Sequence, residues 1–192
     1  NYPYKTFQSS KPLSIYGKSK SSGESGVLEI LEGTNQVLIL RTSWLMGPKG
    51  NNFALTMLEL HKKGKPISVV SDQIGSPTST IQLADSCWKL INLYEANSTI
   101  KKKLPSILHW CNSGIASWYD IAIAIGEISL QMGLIHKETK VIPISTSEYP
   151  SLAPRPKFSV LDCDESYKLL NAVPIHWREA LCEILKECQY GN

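Results

Sequence analysis

Several features that would place the chain in a specialised class are missing. No apolar run approaches the roughly 20 residues that a membrane-spanning helix needs, and the first residues lack the charged-then-apolar pattern of a secretory signal. The five cysteines are odd in number and never have the C-x-x-C spacing. This favours reduced thiols over a disulfide framework or a zinc site. We therefore expect a cytoplasmic protein with no membrane partner and no metal.

The excess of one sign of charge over the other is also small. The formal net charge is +3, which is too small to indicate a nucleic-acid partner. The one basic run, the lysines at 101–103, is most simply interpreted as a solvated loop rather than a track for phosphates. We therefore expect no nucleic acid as a partner.

Short apolar runs alternate with segments of helical periodicity along the whole chain. The predicted strands are 37–40, 67–70, 107–110 and 141–144, and the predicted helices are 21–31, 51–63, 80–94, 117–132 and 177–188. Ser117 is the expected N-cap of the fourth helix. Such alternation predicts an α/β protein with a mostly parallel sheet. Strand 37–40 is a continuous apolar run, which predicts burial on both faces.

A glycine-rich phosphate loop is the most informative absence. A parallel sheet that binds a dinucleotide begins with a strand, a G-x-G-x-x-G turn and a helix, whose amide groups hold the pyrophosphate. No such turn follows any predicted strand here. The sequence therefore lacks the element that would hold a dinucleotide cofactor by its phosphates.

Tyr16 and Lys20 form a Y-x-x-x-K motif. On a helix, positions i and i+4 lie on one face about one turn apart. An ammonium close to a phenol favours the phenolate, so the tyrosine can pass its proton to a carbonyl oxygen while hydride reaches the carbon. By itself the motif is common, and an exposed helix face with no chemistry is the simpler explanation of it.

Further blocks, spread from about residue 3 to residue 185, give the motif its context. Pro12–Lys20 with Gly23-Glu24 resembles the catalytic segment of extended short-chain dehydrogenase/reductases. Later blocks resemble the dTDP-4-dehydrorhamnose reductase branch of that family in order and spacing. They are Leu40–Trp44, Gly50–Phe53, Asp72–Thr78, Ser117–Asp120, Glu148–Pro150, Arg155-Pro156 and Ser159–Asp162.

The resemblance implies an enzyme that uses NADPH or NADH to reduce the C4 keto group of dTDP-6-deoxy-L-lyxo-4-hexulose to dTDP-L-rhamnose. Tyr16 matches the proton donor, and Lys20 matches its partner, which also contacts the cofactor. Trp44 matches a residue that packs against the bound sugar nucleotide, and we expect Gln73 and Arg155 to bind the dTDP-sugar as well.

The resemblance also implies a fold and a domain division. We expect the remainder of a Rossmann-like, doubly wound parallel sheet with a smaller C-terminal α/β substrate-binding region. Residues 1–45 would belong to the NAD(P)-binding domain, and residues 46–192 would complete the sheet and form the substrate region. The chain aligns with the C-terminal two-thirds of the family, so we expect about a hundred preceding residues to be absent. An open sheet edge would then favour self-association, for example as a homodimer.

Each proposed binding residue has a structural alternative. Trp44 could be a buried aromatic after a core strand, Arg155 could form a surface salt bridge, and Gln73 could brace a loop through hydrogen bonds. The other tryptophans are most simply interpreted as core residues; they are Trp88, Trp110, Trp118 and Trp177.

Two other functions stay open at this point. A chain without its phosphate loop could act as a non-catalytic binding or regulatory protein on the same fold. An epimerase or dehydratase of the same superfamily would share the Y-x-x-x-K motif, although the D-Q-x-G-S-P-T and S-W-Y-D blocks favour the reductase branch.

Overall fold

The computed structural model describes residues 2–96, 104–150 and 153–190. The lysines at 101–103 lie outside the described residues, so their interpretation as a solvated loop stays a prediction. In chain order the elements are α1 (Ile15–Leu31), β1 (Ile39–Arg41), β2 (Leu45–Met46), α2 (Phe53–Lys63), β3 (Ile67–Val70), β4 (Ile74–Gly75), β5 (Thr78–Ser79), α3 (Thr80–Ala96), β6 (Ile107–His109), β7 (Ala116–Ser117), α4 (Trp118–Gln131), β8 (Val141–Ile144), a 3₁₀ turn (Thr146–Glu148), β9 (Phe158–Ser159), α5 (Asp164–Leu169) and α6 (Trp177–Tyr190).

The strands confirm an α/β fold with mostly parallel pairing. β1 pairs with β6, β2 with β5, and β3 with β8, all in parallel. β4 lies between β7, which is antiparallel to it, and β9, which is parallel. In the described ranges these pairings form four small sheets of two or three strands. Parallel pairing of strands that are distant in sequence is what crossover helices produce.

Three helices begin at a residue that caps their first turn. The Ser14 hydroxyl accepts from Gly17 N at the start of α1, and the Asn52 side chain does the same for α2. At α4, Ser117 and Asp120 form a capping box, in which each side chain accepts a hydrogen bond from the other residue's backbone. This confirms the prediction that Ser117 begins the fourth long helix.

The core lies between the β3–β8 pair and the helices α2, α4 and α6. α4 contributes its fully buried Ile121 and Ile125, and α6 contributes Leu185. α2 and α4 approach closely at Gly126, where an added Cβ would lie 2.6 Å from the His61 ring. His61 itself is buried, with its Nε2 3.0 Å from the Ala122 carbonyl oxygen. The central helices of this core therefore depend on close packing.

The prediction that strand 37–40 is buried on both faces is wrong. Residues 37–40 are only partly buried. Val37, Leu38 and Leu40 line an open, mostly apolar cleft of about 370 Å³, together with Leu90 and Ile91 of α3. One face of the strand therefore meets a cleft, where a buried strand would meet packed side chains.

The interpretation of Trp88 as a core residue is also wrong, because its side chain is 65% exposed. The buried residues of α3 are Ser86 and Leu90, each two positions from Trp88. Two positions correspond to about 200° around a helix, so Trp88 lies on the opposite face. Trp110 and Trp177 are buried as predicted, and Trp118 packs partly buried against the core.

None of the described helices is both long and apolar enough to span a bilayer. All five cysteines are free thiols, as the sequence predicts.

Candidate active site and sugar-nucleotide site

Tyr16 and Lys20 lie on one face of α1, near its capped start. The Lys20 Nζ is 5.5 Å from the centroid of the Tyr16 ring, a distance at which an ammonium is attracted to an aromatic face. The Tyr16 side chain is 72% exposed. Lys20 forms no ion pair with any described residue. Both polar groups are therefore accessible to a ligand on this face of the helix.

An ion pair that the sequence analysis missed holds α1 against β1. The Arg41 guanidinium donates to both carboxylate oxygens of Glu24, with N–O distances of 2.6 to 3.0 Å. Both side chains are 22% exposed, and Arg41 also donates to the Thr6 carbonyl oxygen at 3.4 Å. Glu24 and Arg41 belong to two of the sequence blocks that carry the resemblance. Their pairing shows that these blocks also have a structural role, since it fixes α1 on β1.

Trp44 lies between β1 and β2 in an unusual backbone conformation. Its φ is +46°, a left-handed value that is rare for a bulky residue and is found where surrounding contacts enforce it. One such contact is Gly75, where an added Cβ would lie 2.5 Å from Trp44 Cε2. A second is the Trp118 ring, stacked on Trp44 with centroids 3.8 Å apart and planes at 11°. The Trp44 side chain is partly buried. Partial burial agrees with the structural alternative, and it leaves part of the side chain accessible for the predicted contact with a ligand.

Gln73 is engaged inside the protein at both ends of its carboxamide. Its Oε1 accepts from Trp118 Nε1 and its Nε2 donates to Thr146 Oγ1, both at 3.2 Å. The side chain is 5% exposed. These contacts match the loop-bracing alternative for Gln73, and its direct contact with a sugar nucleotide stays a prediction.

Asp72 completes this chain of hydrogen bonds. Its Oδ1 accepts from the Thr146 hydroxyl at 2.6 Å and from the Thr146 amide at 2.8 Å. The hydrogen bond from the Thr146 hydroxyl is the main cause of a lowered pKa of Asp72, with a smaller contribution from Lys157, whose Nζ is 3.6 Å away. Asp72 thus joins the loop after β3 to the 3₁₀ turn and stays ionised, which suits a purely structural acceptor.

Arg155 is exposed in the loop before β9. No described carboxylate lies within salt-bridge distance of its guanidinium, so the surface salt bridge considered for it does not form with the described residues. Two residues later, the Lys157 carbonyl oxygen accepts from Ile74 N at 2.8 Å. The loop is therefore attached to β4, next to Gln73.

The predicted binding residues thus fall into two groups. Trp44 contacts Gly75 of β4, Gln73 directly precedes β4, and Arg155 precedes β9 by three residues. Tyr16 and Lys20 lie on α1, and no hydrogen bond, ion pair or ring contact of the described residues joins them to the first group. Trp44 follows the carboxyl end of β1, and α1 is bound to that same end through the Glu24–Arg41 ion pair. This is the edge at which α/β proteins bind their ligands.

A cavity of about 400 Å³ at the ends of β6 and β9 was not predicted. Its lining includes Pro3, Asn112, Asp162 and two cysteines, Cys111 and Cys163. The two thiols interact, and a hydrogen bond from Cys163 holds the pKa of Cys111 below its usual range, while that of Cys163 is raised. Because these residues are far apart in sequence, no spacing motif could have indicated the cluster.

The arrangement of α1 fits part of a nicotinamide dinucleotide. Lys20 has three ammonium donors that could bond ribose hydroxyls, and the exposed Tyr16 phenol could bond a reacting carbonyl. No three described carboxylate, imidazole or thiol side chains cluster as a metal site would require.

Comparison with known proteins gives one consistent family. The sequence profile of the RmlD substrate binding domain matches residues 1–190. The spore coat polysaccharide biosynthesis protein SpsK of Bacillus subtilis is 42% identical over 96% of this chain and 58% of its own length.

Solved structures agree with this match. A dTDP-4-dehydrorhamnose reductase from Clostridium acetobutylicum has a TM-score of 0.81 and 36% identity, over 98% of this chain and 61% of that one. The Bacillus anthracis dTDP-4-dehydrorhamnose reductase in complex with NADP has a TM-score of 0.80 and 35% identity, over 96% and 59%. The chain spans 56 to 60% of the length of curated relatives that it matches.

Proposed function

We propose, for a chain that belongs to the RmlD substrate binding domain family, that it supplies the proton donor and the sugar-nucleotide site of an NAD(P)H-dependent reductase. The reaction is the reduction of dTDP-6-deoxy-L-lyxo-4-hexulose to dTDP-L-rhamnose. The observation that carries the proposal is the Tyr16–Lys20 pair, with the ammonium 5.5 Å from the ring centroid on an exposed helix face.

The residues of this pair divide the chemistry between them. The Tyr16 hydroxyl donates a hydrogen bond to the C4 carbonyl oxygen of the sugar and then transfers its proton to that oxygen. Lys20 stabilises the phenolate that remains, since a positive charge close to the ring favours the ionised form. A bound nicotinamide cofactor, NADPH or NADH, would supply the hydride for C4, and with the proton from Tyr16 the carbonyl would become a secondary alcohol.

The second group of residues orients the sugar nucleotide. The Trp44 indole offers an apolar face to the deoxysugar or the thymine ring. Arg155, without an acidic partner among the described residues, offers a guanidinium that can donate two parallel hydrogen bonds to a diphosphate. Gln73 supports this site from inside the protein.

Residues 1–192 contain no glycine-rich phosphate loop. Without such a loop, a dinucleotide loses the backbone amides and the helix N-terminus that normally hold its pyrophosphate. We therefore expect residues 1–192 alone to bind the dTDP-sugar but neither to bind NADPH tightly nor to turn over. We also propose a cytoplasmic location, which the five free thiols support, and self-association as a homodimer, which the exposed apolar side chains of α1 support.

Calorimetric titration of residues 1–192 with dTDP-L-rhamnose and with UDP-glucose tests the proposal. We expect binding of the dTDP-sugar and much weaker binding of UDP-glucose, because the site would be built for the reductase's product. Arg155→Gln should weaken binding of dTDP-L-rhamnose by about tenfold or more, the loss of charge-assisted hydrogen bonds to the diphosphate.

Lys65→Gln is the matched control, since it removes the same charge from an exposed turn between α2 and β3. Equal weakening by both variants would mean that net charge, and not Arg155, attracts the nucleotide. Preference for UDP-glucose would contradict the assignment to the reductase branch.

A further inference from the structure

The ring of Trp44 is fixed by partners that are not themselves expected to touch the sugar. Trp118 stacks on it with planes at 11°, and Phe53 packs against Trp118 from another side, with centroids 4.6 Å apart and planes at 54°. Gly75 leaves space for the Trp44 ring where any side chain would collide. These contacts hold the ring of Trp44 nearly parallel to the ring of Trp118, so a change in the orientation of Trp118 would change that of Trp44.

The orientation of Trp118 is in turn set by a directional series of hydrogen bonds. An indole N–H can only donate and a carboxylate can only accept. Trp118 Nε1 therefore donates to Gln73 Oε1, Gln73 Nε2 donates to Thr146 Oγ1, and the Thr146 hydroxyl donates to Asp72 Oδ1. Each of these hydrogen bonds therefore has one possible direction. Reversing the Gln73 carboxamide would place its Nε2 donor opposite the Trp118 Nε1 donor.

From this geometry we infer that Gln73 and Trp118 are positioning residues, which set the plane of the Trp44 indole against the bound sugar nucleotide. The left-handed backbone of Trp44, with φ of +46°, fits this role, because such conformations persist where the surroundings hold them and they concentrate at ligand sites. The inference rests on the proposed function, since it takes Trp44 as a contact of the dTDP-sugar.

The stacked pair gives a readout that is independent of ligand. Two indoles at this distance couple their electronic transitions, which produces paired bands of opposite sign in far-ultraviolet circular dichroism. Their intensity depends on the distance and angle between the rings. We expect this couplet in residues 1–192 and its loss in both Trp44→Phe and Trp118→Phe, which assigns it to the pair.

Gln73→Glu is the informative variant. A carboxylate can still accept from Trp118 but cannot donate to Thr146, whose hydroxyl is committed to Asp72. We expect a weaker couplet and affinity for dTDP-L-rhamnose reduced about tenfold, the fold-change that corresponds to one buried hydrogen bond. Thr146→Ser keeps the hydroxyl and should keep both.

Gln82→Glu is the matched control for a general loss of stability. Gln82 Nε2 donates to a carboxylate oxygen of Glu183 at 3.0 Å, so the substitution likewise replaces an amide donor by a carboxylate, here between α3 and α6. It should change neither the couplet nor the affinity.

The outcomes separate the two proposals. If wild-type residues 1–192 bind dTDP-L-rhamnose while Gln73→Glu keeps the couplet, or loses it with unchanged affinity, the positioning role is wrong and the proposed function stands. If the wild type shows the couplet but binds no dTDP-L-rhamnose, the proposed function fails, and the positioning role fails with it.

Discussion

Two helices of this molecule, α1 and α4, differ in how much of each is buried against the rest of the fold. α4 buries seven of its fourteen residues, whereas α1 has seventeen residues and buries none. Apolar side chains of α1 such as Ile15 and Ile30 are 86% and 77% exposed. The proposed catalytic pair lies on the poorly packed helix, and Trp44 and Gln73 lie in the well-packed part.

The proposed site residues in these two regions are therefore held in place by different numbers of contacts. The position of Trp44 is set by stacking, by Gly75 and by the hydrogen bonds of Gln73, all within the described residues. The position of Tyr16 depends on one N-cap and on the Glu24–Arg41 ion pair. We conclude that contacts within the described residues hold Trp44, the proposed sugar-nucleotide contact, while α1, which carries the proposed catalytic pair, has much less support.

Truncation of one isoleucine in each helix should give the largest contrast. Ile125→Ala in α4 removes a fully buried side chain and should lower the free energy of unfolding by about 2–5 kcal/mol. Ile30→Ala in α1 should change it by less than about 0.5 kcal/mol. Urea unfolding followed by circular dichroism measures both. Comparable losses would mean that α1 is packed more firmly than its exposure indicates.

The same glycine substitution should have opposite signs in the two regions. Gly75→Ala places a methyl group 2.5 Å from the Trp44 ring, so we expect a loss of about 1–3 kcal/mol from overpacking. Gly23 lies within α1 and has no neighbour within 4 Å of an added Cβ. Gly23→Ala should therefore raise the stability of the helix by about 0.5–1 kcal/mol.

The midpoints of thermal unfolding of the two alanine variants test this pair. The couplet of Trp44 and Trp118 should weaken in Gly75→Ala alone. If Gly75→Ala were neutral and kept the couplet, the close contact between Gly75 and the indole would not exist in solution.

The smallest effect concerns His109, where β6 lies beside β1. Burial is the main cause of its lowered pKa, and the positive charge of Arg41 adds to it, against the hydrogen bonds with the carbonyl oxygens of Asp162 and Tyr4. The unfolded chain binds this proton below the ordinary value of 6.5, and the folded chain resists it. The free energy of unfolding should therefore fall as the pH drops from 6.5 toward the lowered pKa.

Denaturant unfolding at a series of pH values, for the wild type and His109→Gln, isolates this contribution. The variant should have a flatter dependence below pH 6.5. A dependence identical to that of the wild type would show that other groups cause the loss.

Much of the fold could be predicted because its signals are local. The N-cap at Ser117, the apolar period of α4 and the strands at 67–70 and 141–144 are all readable within a few residues. β2, β4, β5, β7 and β9 have two residues each, which is too short for any periodicity. Trp88 was misplaced because its neighbours on α3 are apolar on more than one face.

The sequence offers candidate site residues but not their arrangement. The resemblance pointed to Tyr16, Lys20, Trp44, Gln73 and Arg155, whose contact with ligand stays a prediction. The stack of Trp44 on Trp118 joins residues 74 positions apart, and the Glu24–Arg41 pair joins residues 17 positions apart. Such contacts depend on tertiary packing, which no spacing in the sequence encodes.

The most direct test is a pair of calorimetric titrations of residues 1–192, one with dTDP-L-rhamnose and one with NADPH. They ask whether the chain forms the proposed sugar-nucleotide site without a tight site for the cofactor. We predict binding of dTDP-L-rhamnose that is weakened in Trp44→Ala, together with no tight binding of NADPH. Micromolar binding of NADPH, or binding of dTDP-L-rhamnose that is unaffected by Trp44→Ala, would contradict the account.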